Sequence, residues 1–352
     1  MRTVTFGRWG RFCQAAAAAI AIFLLAGCGG DEEEGGAILR VGYQQGGSST
    51  LPMIAKEEGY YAKAGVKTDF VLFTNSSDGL NALNSGKLDL GVSFGTGGPL
   101  TFMAKGARFV IIAGNLSGGH PVIALPDKAA QFKSIQDFRG KTVGTPRIFT
   151  SDVVFRGALH DAGIDAKKDL NIVEFKRPVD VLEAVKSGKV DVGIGATNII
   201  GQAAQAGLAF PLWSNDLSPN HPCCRIVATE AAVRDHRPEL VKFIKAELLA
   251  ERKFAQDPES GVRADVNQQK FCEKLARDLV LEPHIQLSVD PNRQGVEAMW
   301  RHMKQIGYAE GEIDLGRAID TSLYRDALEQ LRREQPDPFW EQLERRFREQ
   351  NP

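Results

Sequence analysis

The chain has 352 residues, of which 43 are Lys or Arg and 44 are Asp or Glu, so its formal net charge is −1. This length suits two domain-sized cores, and the balanced charge excludes the polycationic surface that nucleic acid or anionic lipid would require. We therefore expect a globular protein that has no nucleic-acid partner.

The N-terminal segment is typical of a secretory signal peptide. Arg2, Arg8 and Arg11 precede the apolar run "AAAAAIAIFLLAG", which is too short to span a bilayer comfortably. We expect residues 1–27 to be removed, which leaves 40 basic against 44 acidic residues. Residues 28–36, "CGGDEEEGG", then predict a flexible tether, and no later apolar stretch is long enough to cross a membrane.

Short strands and helices alternate from residue 37 onward. The first half predicts strands at 39–43, 67–73, 88–94 and 108–115, separated by helices at 51–65, 77–86 and 98–106. The pattern then restarts, with strands at 121–125, 171–175, 190–194 and 208–213, another strand beginning at 142, and helices at 151–163, 178–188 and 199–207. Such alternation indicates parallel strand pairing through right-handed crossovers.

One sequence motif occurs in both halves of the chain. "NSGKLDLGV" at 84–92 returns as "KSGKVDVGI" at 186–194, and in both copies an apolar helix ends at a Ser-Gly-Lys turn before a short strand. The acids of the repeat, Asp89 and Asp191, lie within the strands on the polar side of the alternation, which favours a structural role. The repeat predicts two α/β lobes of the same local architecture.

The last third is mainly helical. A strand is predicted at 224–229, followed by helices at 239–256, 295–308 and 322–334. These residues contain too few strands for a third sheet, so we expect them to pack back on one lobe. Residues 336–352 form a charged helix with an apolar stripe, interpreted as a terminal brace; a partner-binding helix is the alternative.

Several motifs together resemble one protein family. They are the signal that ends in Leu25-Ala26-Gly27-Cys28, similar to a bacterial lipobox, and the segments "LRVGYQQGG", "KEEGYYAKAGV", "NALNSGKLDLGVSF", "FKSIQDFRGKTVGT", "VLEAVKSGKVDVGI" and "IDTSLYRDAL". The chain resembles the substrate-binding lipoproteins of nitrate-, sulfonate- and taurine-type ABC importers, whose relatives include the thiamine-pyrimidine synthases. Each motif is weak alone, and together they indicate the family but not the ligand.

The resemblance implies a two-lobed α/β fold of the periplasmic-binding-protein kind (type II). Each lobe would be a mostly parallel sheet flanked by helices, with two crossover strands as the hinge, near 119–125 and 219–227. Lobe 1 would comprise residues 37–119 and 222–335, lobe 2 residues 120–221, and the C-terminal helical tail residues 336–352.

The resemblance also implies a function. An extracytoplasmic or periplasmic receptor would bind a small polar, anionic organic solute of the sulfonate, taurine or nitrate kind and deliver it to an ABC permease. Lipid on Cys28 would anchor it to a bacterial membrane; the alternative is an ordinary signal cleaved near Ala26. We expect a monomer without catalytic residues, cofactor or metal ion.

The solute is expected where the carboxyl ends of the strands face each other, because loops and helix N-termini there present hydrogen-bond donors. The predicted ligand-binding residues are Gln44, Gln45, Ser48, Ser49, Ser93 and Thr96 of lobe 1, Arg147, Ser151, Thr197 and Asn198 of lobe 2, and His120, Cys223 and Cys224 at the crossovers. For each Ser or Thr the alternative is a helix cap. Arg147 could bind a carboxylate or sulfonate, or be a surface arginine.

The stretch "PNHPCCR" at 219–225 is unusual. Five cysteines occur in the chain; Cys13 would leave with the signal, and Cys223, Cys224 and Cys272 remain besides Cys28. Three cannot form a full disulfide framework. Cys223 and Cys224 could form a vicinal disulfide, bind a soft metal together with His221, or be two small buried residues.

Enzyme motifs are present only in fragments. "GVSFG" at 91–95 matches a nucleophile elbow, but the second copy has Gly195 where a Ser would be needed. "RGKT" lacks the earlier glycine of a P-loop, and "GIGATN" lacks the third glycine of a dinucleotide fingerprint. The remaining alternative is a pyrimidine-binding protein, or a metal- or redox-dependent enzyme related to the pyrimidine synthases that uses the Cys-Cys-His cluster; the export signal argues against the enzyme.

Overall fold

The computed structural model describes residues 37–352; the predicted signal peptide, the predicted tether and the predicted lipidation site, Cys28, lie outside them. Eleven strands are formed by the described residues. They are β1 (Ile38–Tyr43), β2 (Lys67–Leu72), β3 (Leu90–Gly91), β4 (Phe109–Gly118), β5 (Pro121–Ala124), β6 (Thr142–Pro146), β7 (Asn171–Phe175), β8 (Val192–Ile194), β9 (Ala209–Trp213), β10 (Pro222–Thr229) and β11 (Ile285–Leu287).

Helices cover both sheets. They are α1 (Thr50–Glu57), α2 (Tyr60–Lys63), α3 (Ser76–Asn84), α4 (Gly97–Ala104), α5 (Pro126–Ala129), α6 (Thr150–Asp161), α7 (Pro178–Lys186), α8 (Ile200–Gln205), α9 (Ser214–Leu217), α10 (Glu230–Asp235), α11 (Arg237–Gln256), α12 (Glu259–Gln269), α13 (Glu273–Val280), α14 (Arg293–Gln305), α15 (Leu315–Ala318), α16 (Ser322–Glu334) and α17 (Pro338–Gln350). Short 3₁₀ turns lie at Gly47–Ser49, Ile135–Phe138 and Thr197–Ile199.

The strands form two separate sheets. The first has the order β11-β4-β10-β3-β1-β2 and the second the order β7-β6-β8-β5-β9. We call the first sheet with its helices lobe 1 and the second with its helices lobe 2. The two copies of the Ser-Gly-Lys motif precede β3 and β8, which lie in different sheets, as the repeat predicts.

Both sheets are mixed, whereas the sequence predicts mostly parallel pairing. The strands β2, β1 and β3 are parallel, and so are β7, β6 and β8. The pairs β3–β10, β10–β4 and β4–β11 are antiparallel, as are β8–β5 and β5–β9. The antiparallel pairs arise because the chain leaves lobe 1 through β4 and returns through β10, so these neighbours run in opposite directions.

Two connections join the lobes. The first runs from β4 to β5 through Gly118, Gly119 and His120, and the second runs from β9 through α9 to β10. Gly118 and Gly119 have φ angles of 70° and 82°, which favour glycine over residues with a side chain. The expected pair of crossover segments is therefore present.

The repeated aspartates have matching structural roles. In lobe 1 the Asp89 carboxylate accepts the Arg40 backbone N–H at 2.8 Å, and in lobe 2 the Asp191 carboxylate accepts the Thr142 backbone N–H at 2.9 Å. Each carboxylate therefore connects the end of a Ser-Gly-Lys turn to the neighbouring strand, β1 or β6, as the predicted structural role requires.

Lobe 1 has the larger core, since α11, α16 and α17 all pack against its sheet. Trp340 and Leu343 of the C-terminal helix are buried in the same cluster as Val41 and Ile112. The predicted brace is therefore part of the lobe 1 core. No helix among residues 37–352 is long and apolar enough to cross a membrane.

One carboxyl group is buried in this core. Glu247 of α11 is fully buried and accepts a hydrogen bond from the Tyr61 hydroxyl. Burial raises the pKa of Glu247 from 4.5 to about 8. Because the folded-state pKa lies above the unfolded one, the protonated carboxyl contributes stability that is complete below about pH 4.5 and is lost as pH rises through about 8.

Replacing Glu247→Gln keeps an acceptor for Tyr61 and removes the ionisation. We expect the free energy of unfolding of the variant, relative to the wild type, to rise by on the order of a few kcal/mol between about pH 5 and about pH 9. Urea unfolding at a series of pH values measures this, with the exposed Glu349→Gln as the matched control. Parallel pH curves for wild type and Glu247→Gln would contradict it.

Candidate functional site

The predicted ligand loops lie at one edge of each sheet. Because β1 and β3 are parallel, the loops that follow Tyr43 and Gly91 leave lobe 1 at the same edge. The loops that follow Pro146 and Ile194 leave lobe 2 together for the same reason. These are the edges at which open α/β sheets bind ligands.

Two of these loops, one from each lobe, meet at Cys223 of β10. The Cys223 carbonyl oxygen accepts the Thr96 hydroxyl of lobe 1 at 3.1 Å and the Thr150 hydroxyl of lobe 2 at 3.2 Å. The Thr197 hydroxyl, from the loop after β8, donates to the Gly119 carbonyl of the first crossover at 3.3 Å. One short segment of β10 thus joins a loop of lobe 1 to a loop of lobe 2.

The β10–β4 ladder has three register shifts, and the first two shape this segment. Pro222 pairs with Ser117 and Cys224 with Leu116, so Cys223 is an extra residue on β10. Arg225 then pairs with Gly114, so Asn115 is an extra residue on β4. Adjacent side chains of a regular strand point to opposite faces, whereas a bulge changes their direction. The Cys223 and Cys224 sulfurs are therefore only 3.5 Å apart.

A hydrogen-bonded chain runs from Cys223 through two imidazoles. The Cys223 sulfur is 3.3 Å from His120 Nε2, His120 Nδ1 is 3.2 Å from His221 Nε2, and His221 Nδ1 is 2.7 Å from the Ser218 carbonyl oxygen. Since a carbonyl only accepts, His221 Nδ1 donates to it, and the neutral ring accepts at Nε2. His120 therefore donates from Nδ1 and accepts the Cys223 thiol proton at Nε2.

Burial keeps this chain uncharged. It lowers the pKa of His221 to about 4, and burial followed by the nearby His221 lowers the pKa of His120 well below its usual value. The pKa of Cys223 is raised well above its usual value, first by the hydrogen bond with Cys224 and then by burial. At neutral pH both rings are neutral and Cys223 is a thiol.

Arg225, the residue after Cys224 on β10, binds this segment to the rest of lobe 1. It is fully buried, and its guanidinium donates to the carbonyl oxygens of Asp290 and Leu116, both at 2.7 Å, and to the Ser117 hydroxyl at 2.8 Å. Burial lowers its pKa to about 10, so it remains charged at neutral pH. Because these donors bind lobe 1 itself, Arg225 fixes β10 against β4 and the loop after β11.

The structure brings only part of the predicted set together. Thr96, His120, Cys223 and Cys224 belong to the group just described. Ser48 and Thr197 lie next to it, since the Ser48 carbonyl accepts the Asn115 amide and the Thr197 hydroxyl donates to the Gly119 carbonyl. Four others shape the first loop. The Ser93 hydroxyl accepts the Gln44 backbone N–H at 2.7 Å, the Ser49 hydroxyl donates to the Gln44 carbonyl at 2.6 Å, and the Gln45 side chain donates to the Gln269 carbonyl at 2.7 Å.

Three predicted residues of lobe 2 lie outside the group around Cys223. Ser151 is buried at the start of α6, and its hydroxyl has no hydrogen-bond partner among the described residues. Asn198 is exposed. Arg147 is also exposed, and its guanidinium donates to the Glu174 carboxylate at 2.6 Å. A ligand role for Arg147 stays a prediction, although its carboxylate partner is already within the chain.

Two residues not named from the sequence belong to the site. Thr150 donates to the Cys223 carbonyl, and Asn115 donates to the backbone carbonyls of Ser48 and Val92. The Asn115 carbonyl oxygen has no partner among residues 37–352. A lone amide within the apolar run "FVIIAGNLSG" was the available signal for Asn115.

The lobes also touch beside the cleft, where α6 of lobe 2 packs against α14 of lobe 1 and the segment after it. The Tyr308 hydroxyl donates to the Asp152 carboxylate at 2.6 Å, and Asp152 is fully buried. The guanidinium carbons of Arg147 and Arg156 each lie 5.3 Å from the centre of the Tyr308 ring. We call Tyr308, Asp152, Arg147 and Arg156 the inter-lobe latch.

Two features of the chain around α6 support the geometry of the inter-lobe latch. Ile148 has a φ of 67°, unusual for a β-branched residue, and its backbone N–H donates to Asp152 at 3.0 Å. Further along α6, a side chain at Gly157 would come within 2.4 Å of the His302 ring, whose Nε2 lies 3.0 Å from the Asp161 carboxylate. The close approach of α6 to α14 therefore depends on Gly157.

Removing the Tyr308 hydroxyl tests the latch. Burial and the Asp152 charge raise the pKa of Tyr308, so it is a donor at neutral pH. We expect Tyr308→Phe to lower the free energy of unfolding by about 1.5–3 kcal/mol, as for a hydrogen bond to a charged group. The matched control is Tyr324→Phe, because the buried Tyr324 hydroxyl has no hydrogen-bond partner among the described residues. Equal losses in the two variants, measured by urea unfolding, would contradict the prediction.

Known proteins share both the sequence and the fold. A curated protein of Brucella abortus (strain 2308), described as a binding protein, is 30% identical over 154 residues, which are 44% of this chain and 46% of that protein. The chain thus spans about half the length of the curated relatives it matches.

Solved structures show the same two-lobed architecture. The periplasmic aliphatic sulphonate binding protein of Escherichia coli has a TM-score of 0.64 at 19% identity, covering 81% of this chain and 92% of that one. The periplasmic nitrate-binding protein of Synechocystis PCC 6803 has a TM-score of 0.66 at 16% identity, covering 84% and 89%. These likenesses confirm the periplasmic-binding-protein fold. Residues 48–260, more than half of the chain, match the family described as NMT1/THI5 like, and the chain belongs to that family.

Proposed function

We propose that the protein is an extracytoplasmic solute receptor of an ABC importer. It binds one small polar solute between its lobes, holds it chemically unchanged, and presents it to a membrane permease. The fold and the family support this role, and so do the named functions of the two solved structures of the same fold.

One observation carries the proposal. Buried polar atoms without a partner among the described residues occur next to the predicted loops of both lobes: the Asn115 carbonyl oxygen on β4 of lobe 1, and the hydroxyls of Thr145 near the end of β6 and Ser151 at the start of α6 in lobe 2. An unsatisfied buried polar group costs about 1–3 kcal/mol. A solute that hydrogen-bonds all three would stabilise the closed arrangement of the lobes, which is what a binding receptor requires.

The finer points of the proposal follow from the sequence. The receptor is a monomer anchored through lipid on Cys28, with lobe 1 at residues 37–119 and 222–335, lobe 2 at 120–221, and a helical tail at 336–352 that packs on lobe 1. The ligand-binding set is the predicted one, extended by Asn115 and Thr150. Gln44, Gln45, Ser49 and Ser93 would act through the shape of the first loop.

The first solute class is the small organic or inorganic anion, of the sulfonate, taurine or nitrate kind. The start of α6 supports this choice, because backbone N–H groups at the N-terminus of a twelve-residue helix lie beside Thr150 and Ser151. An anion there would also be within reach of Arg147 if that side chain left Glu174.

The second class is an uncharged heterocycle such as a pyrimidine. The observation that favours it is the neutrality of the group around Cys223, where both imidazoles are uncharged and the Arg225 donors bind lobe 1. A neutral ring with donors and acceptors on its edge would lose less hydration free energy on entering such a site than an anion would.

The identity of the solute can be measured directly. We expect protein purified without heating or unfolding to carry one small molecule per chain, detected by native mass spectrometry and identified after release. A molecule that is bound and recovered unchanged after incubation supports the receptor. Turnover of added solute into a product would contradict it.

Replacing Arg147→Ala tests whether this side chain binds an anion, and because Arg147 also belongs to the inter-lobe latch, the result that separates the two solute classes is unchanged affinity. For an anion bound by the guanidinium we expect affinity to fall about tenfold or more, because a charge-assisted hydrogen bond is lost. The matched control is Arg139→Ala, another arginine of lobe 2 that pairs with a carboxylate, Asp169, at 2.5 Å. Calorimetric titration measures both. Unchanged affinity in Arg147→Ala would remove Arg147 from the site and favour the heterocycle.

A further inference from the structure

The cysteine pair of the cleft has a geometry that a regular strand does not provide. The bulge at Cys223 places two adjacent sulfurs 3.5 Å apart, whereas a disulfide requires about 2.05 Å. Bond formation therefore needs a movement of about 1.5 Å between two side chains that already share one side of the strand. The bulge also frees Cys223 from the ladder, so this movement breaks no strand pairing of its own.

The pair also has a proton acceptor in place. The Cys223 thiol lies between the Cys224 sulfur and His120 Nε2, and the second imidazole accepts the proton on the far side of His120. A neutral imidazole at hydrogen-bond distance from a thiol is the arrangement of a general base.

Metal binding is a weaker explanation of the cluster. Within residues 37–352 no group of three His, Cys, Asp or Glu side chains is arranged to hold a metal ion. His221, the partner considered for a soft metal from the sequence, contacts His120 and Ser218 and not the sulfurs. Oxidation of the two thiols requires only the sulfur–sulfur and sulfur–imidazole contacts that the structure contains.

We propose that Cys223 and Cys224 are a reversible oxidation site, at which a hydroperoxide converts the two thiols into a vicinal disulfide with His120 as the proton acceptor. In the first step the Cys224 sulfur attacks a peroxide oxygen and the O–O bond breaks; the leaving oxygen takes the Cys224 thiol proton, so that with hydrogen peroxide the products are a Cys224 sulfenic acid and one water. In the second step the Cys223 sulfur attacks the Cys224 sulfur and the S–O bond breaks.

The second step transfers one proton. It passes from the Cys223 thiol to His120 Nε2 and then to the departing hydroxide, which leaves as water. With hydrogen peroxide the balance is two thiols and one peroxide to one disulfide and two waters. The order of the steps follows from the contacts of the two sulfurs, because Cys223 is the one whose thiol is 3.3 Å from the proton acceptor, His120 Nε2, and the second step is the one that transfers its proton.

The location gives the oxidation a consequence for binding. The disulfide removes the thiol proton that His120 accepts, and it forms at the residue whose carbonyl oxygen binds Thr96 of lobe 1 and Thr150 of lobe 2. The inference therefore deepens the proposed function and rests on it only for the position of the pair in the binding cleft. Its test needs no solute, so its failure and that of the proposed function are separate results.

The experiment treats the reduced, purified protein with hydrogen peroxide and measures intact mass and thiol alkylation after unfolding. We expect the loss of two hydrogen atoms, a peptide in which Cys223 and Cys224 are both protected, and full recovery with a thiol reductant. The exposed Cys272 should remain open to alkylation, and Cys272→Ser should oxidise like the wild type. Cys223→Ser should stop at the Cys224 sulfenic acid, which dimedone traps.

A pair of imidazole variants tests the proton acceptor. We expect His120→Asn to form the disulfide about tenfold more slowly or worse, because the general base is lost. His221→Asn is the matched control, since it keeps His120 Nε2 beside the sulfur and should be slowed less. Thermal unfolding checks that both variants are folded.

Two results would overturn the inference. Cysteines 223 and 224 that stay alkylatable after peroxide treatment, with sulfenic or sulfinic acid as the end product, would exclude the disulfide. Equal oxidation rates in wild type, His120→Asn and His221→Asn would exclude His120 as the proton acceptor.

Discussion

The paired bulges in the β10–β4 ladder are the constraint on which the cleft depends. β10 must return from lobe 2 and still complete the sheet of lobe 1, and at Cys223 it does not keep a regular register. The carbonyl released there binds Thr96 and Thr150, one hydroxyl from each lobe. Asn115, the extra residue on the other strand, reaches the backbone of the first loop. A regular ladder would leave the Cys223 carbonyl paired within the sheet and unable to join the lobes.

The charges of the molecule are arranged around this point in two zones. Beneath and beside the sulfurs the groups are neutral or have their donors occupied, as for His120, His221 and Arg225. The formal charges lie at the rim, where Arg147, Arg156 and Glu174 surround the Tyr308–Asp152 hydrogen bond. The charged residues at the rim can hold the lobes together by ion pairs and hydrogen bonds. The interior of the cleft can then select a solute by its shape and hydrogen-bonding pattern.

The sequence predicted the features that are local. Gly86 and Gly188 end the two repeated helices at φ angles of 71°, and the strand β7 and the helix α16 have the bounds that the pattern gave. The predicted helix at 51–65 is instead two helices separated by Gly59, at φ 67°, and the strand predicted at 88–94 shortens to β3, since its later residues turn into the cleft loop.

What the sequence could not predict joins distant residues. Tyr308 and Asp152 are 156 positions apart, and no spacing rule connects them. The bulges depend on the register of β10 against β4, which is set by pairing more than a hundred residues away and not by the Cys-Cys dipeptide itself. Arg147 follows a strand end, as a ligand residue should, yet Glu174 on the neighbouring strand is a nearer partner than any solute position.

The last helix has a practical consequence for anyone who handles this protein. Asn351 donates to the Asp290 carboxylate at 2.8 Å, and the Asp290 carbonyl in turn accepts the Arg225 guanidinium at 2.7 Å, directly below the sulfurs. Two hydrogen bonds therefore connect Asn351 to Arg225 through Asp290. An affinity tag fused directly after Pro352 would disturb these bonds, so a purification tag at this position requires a spacer.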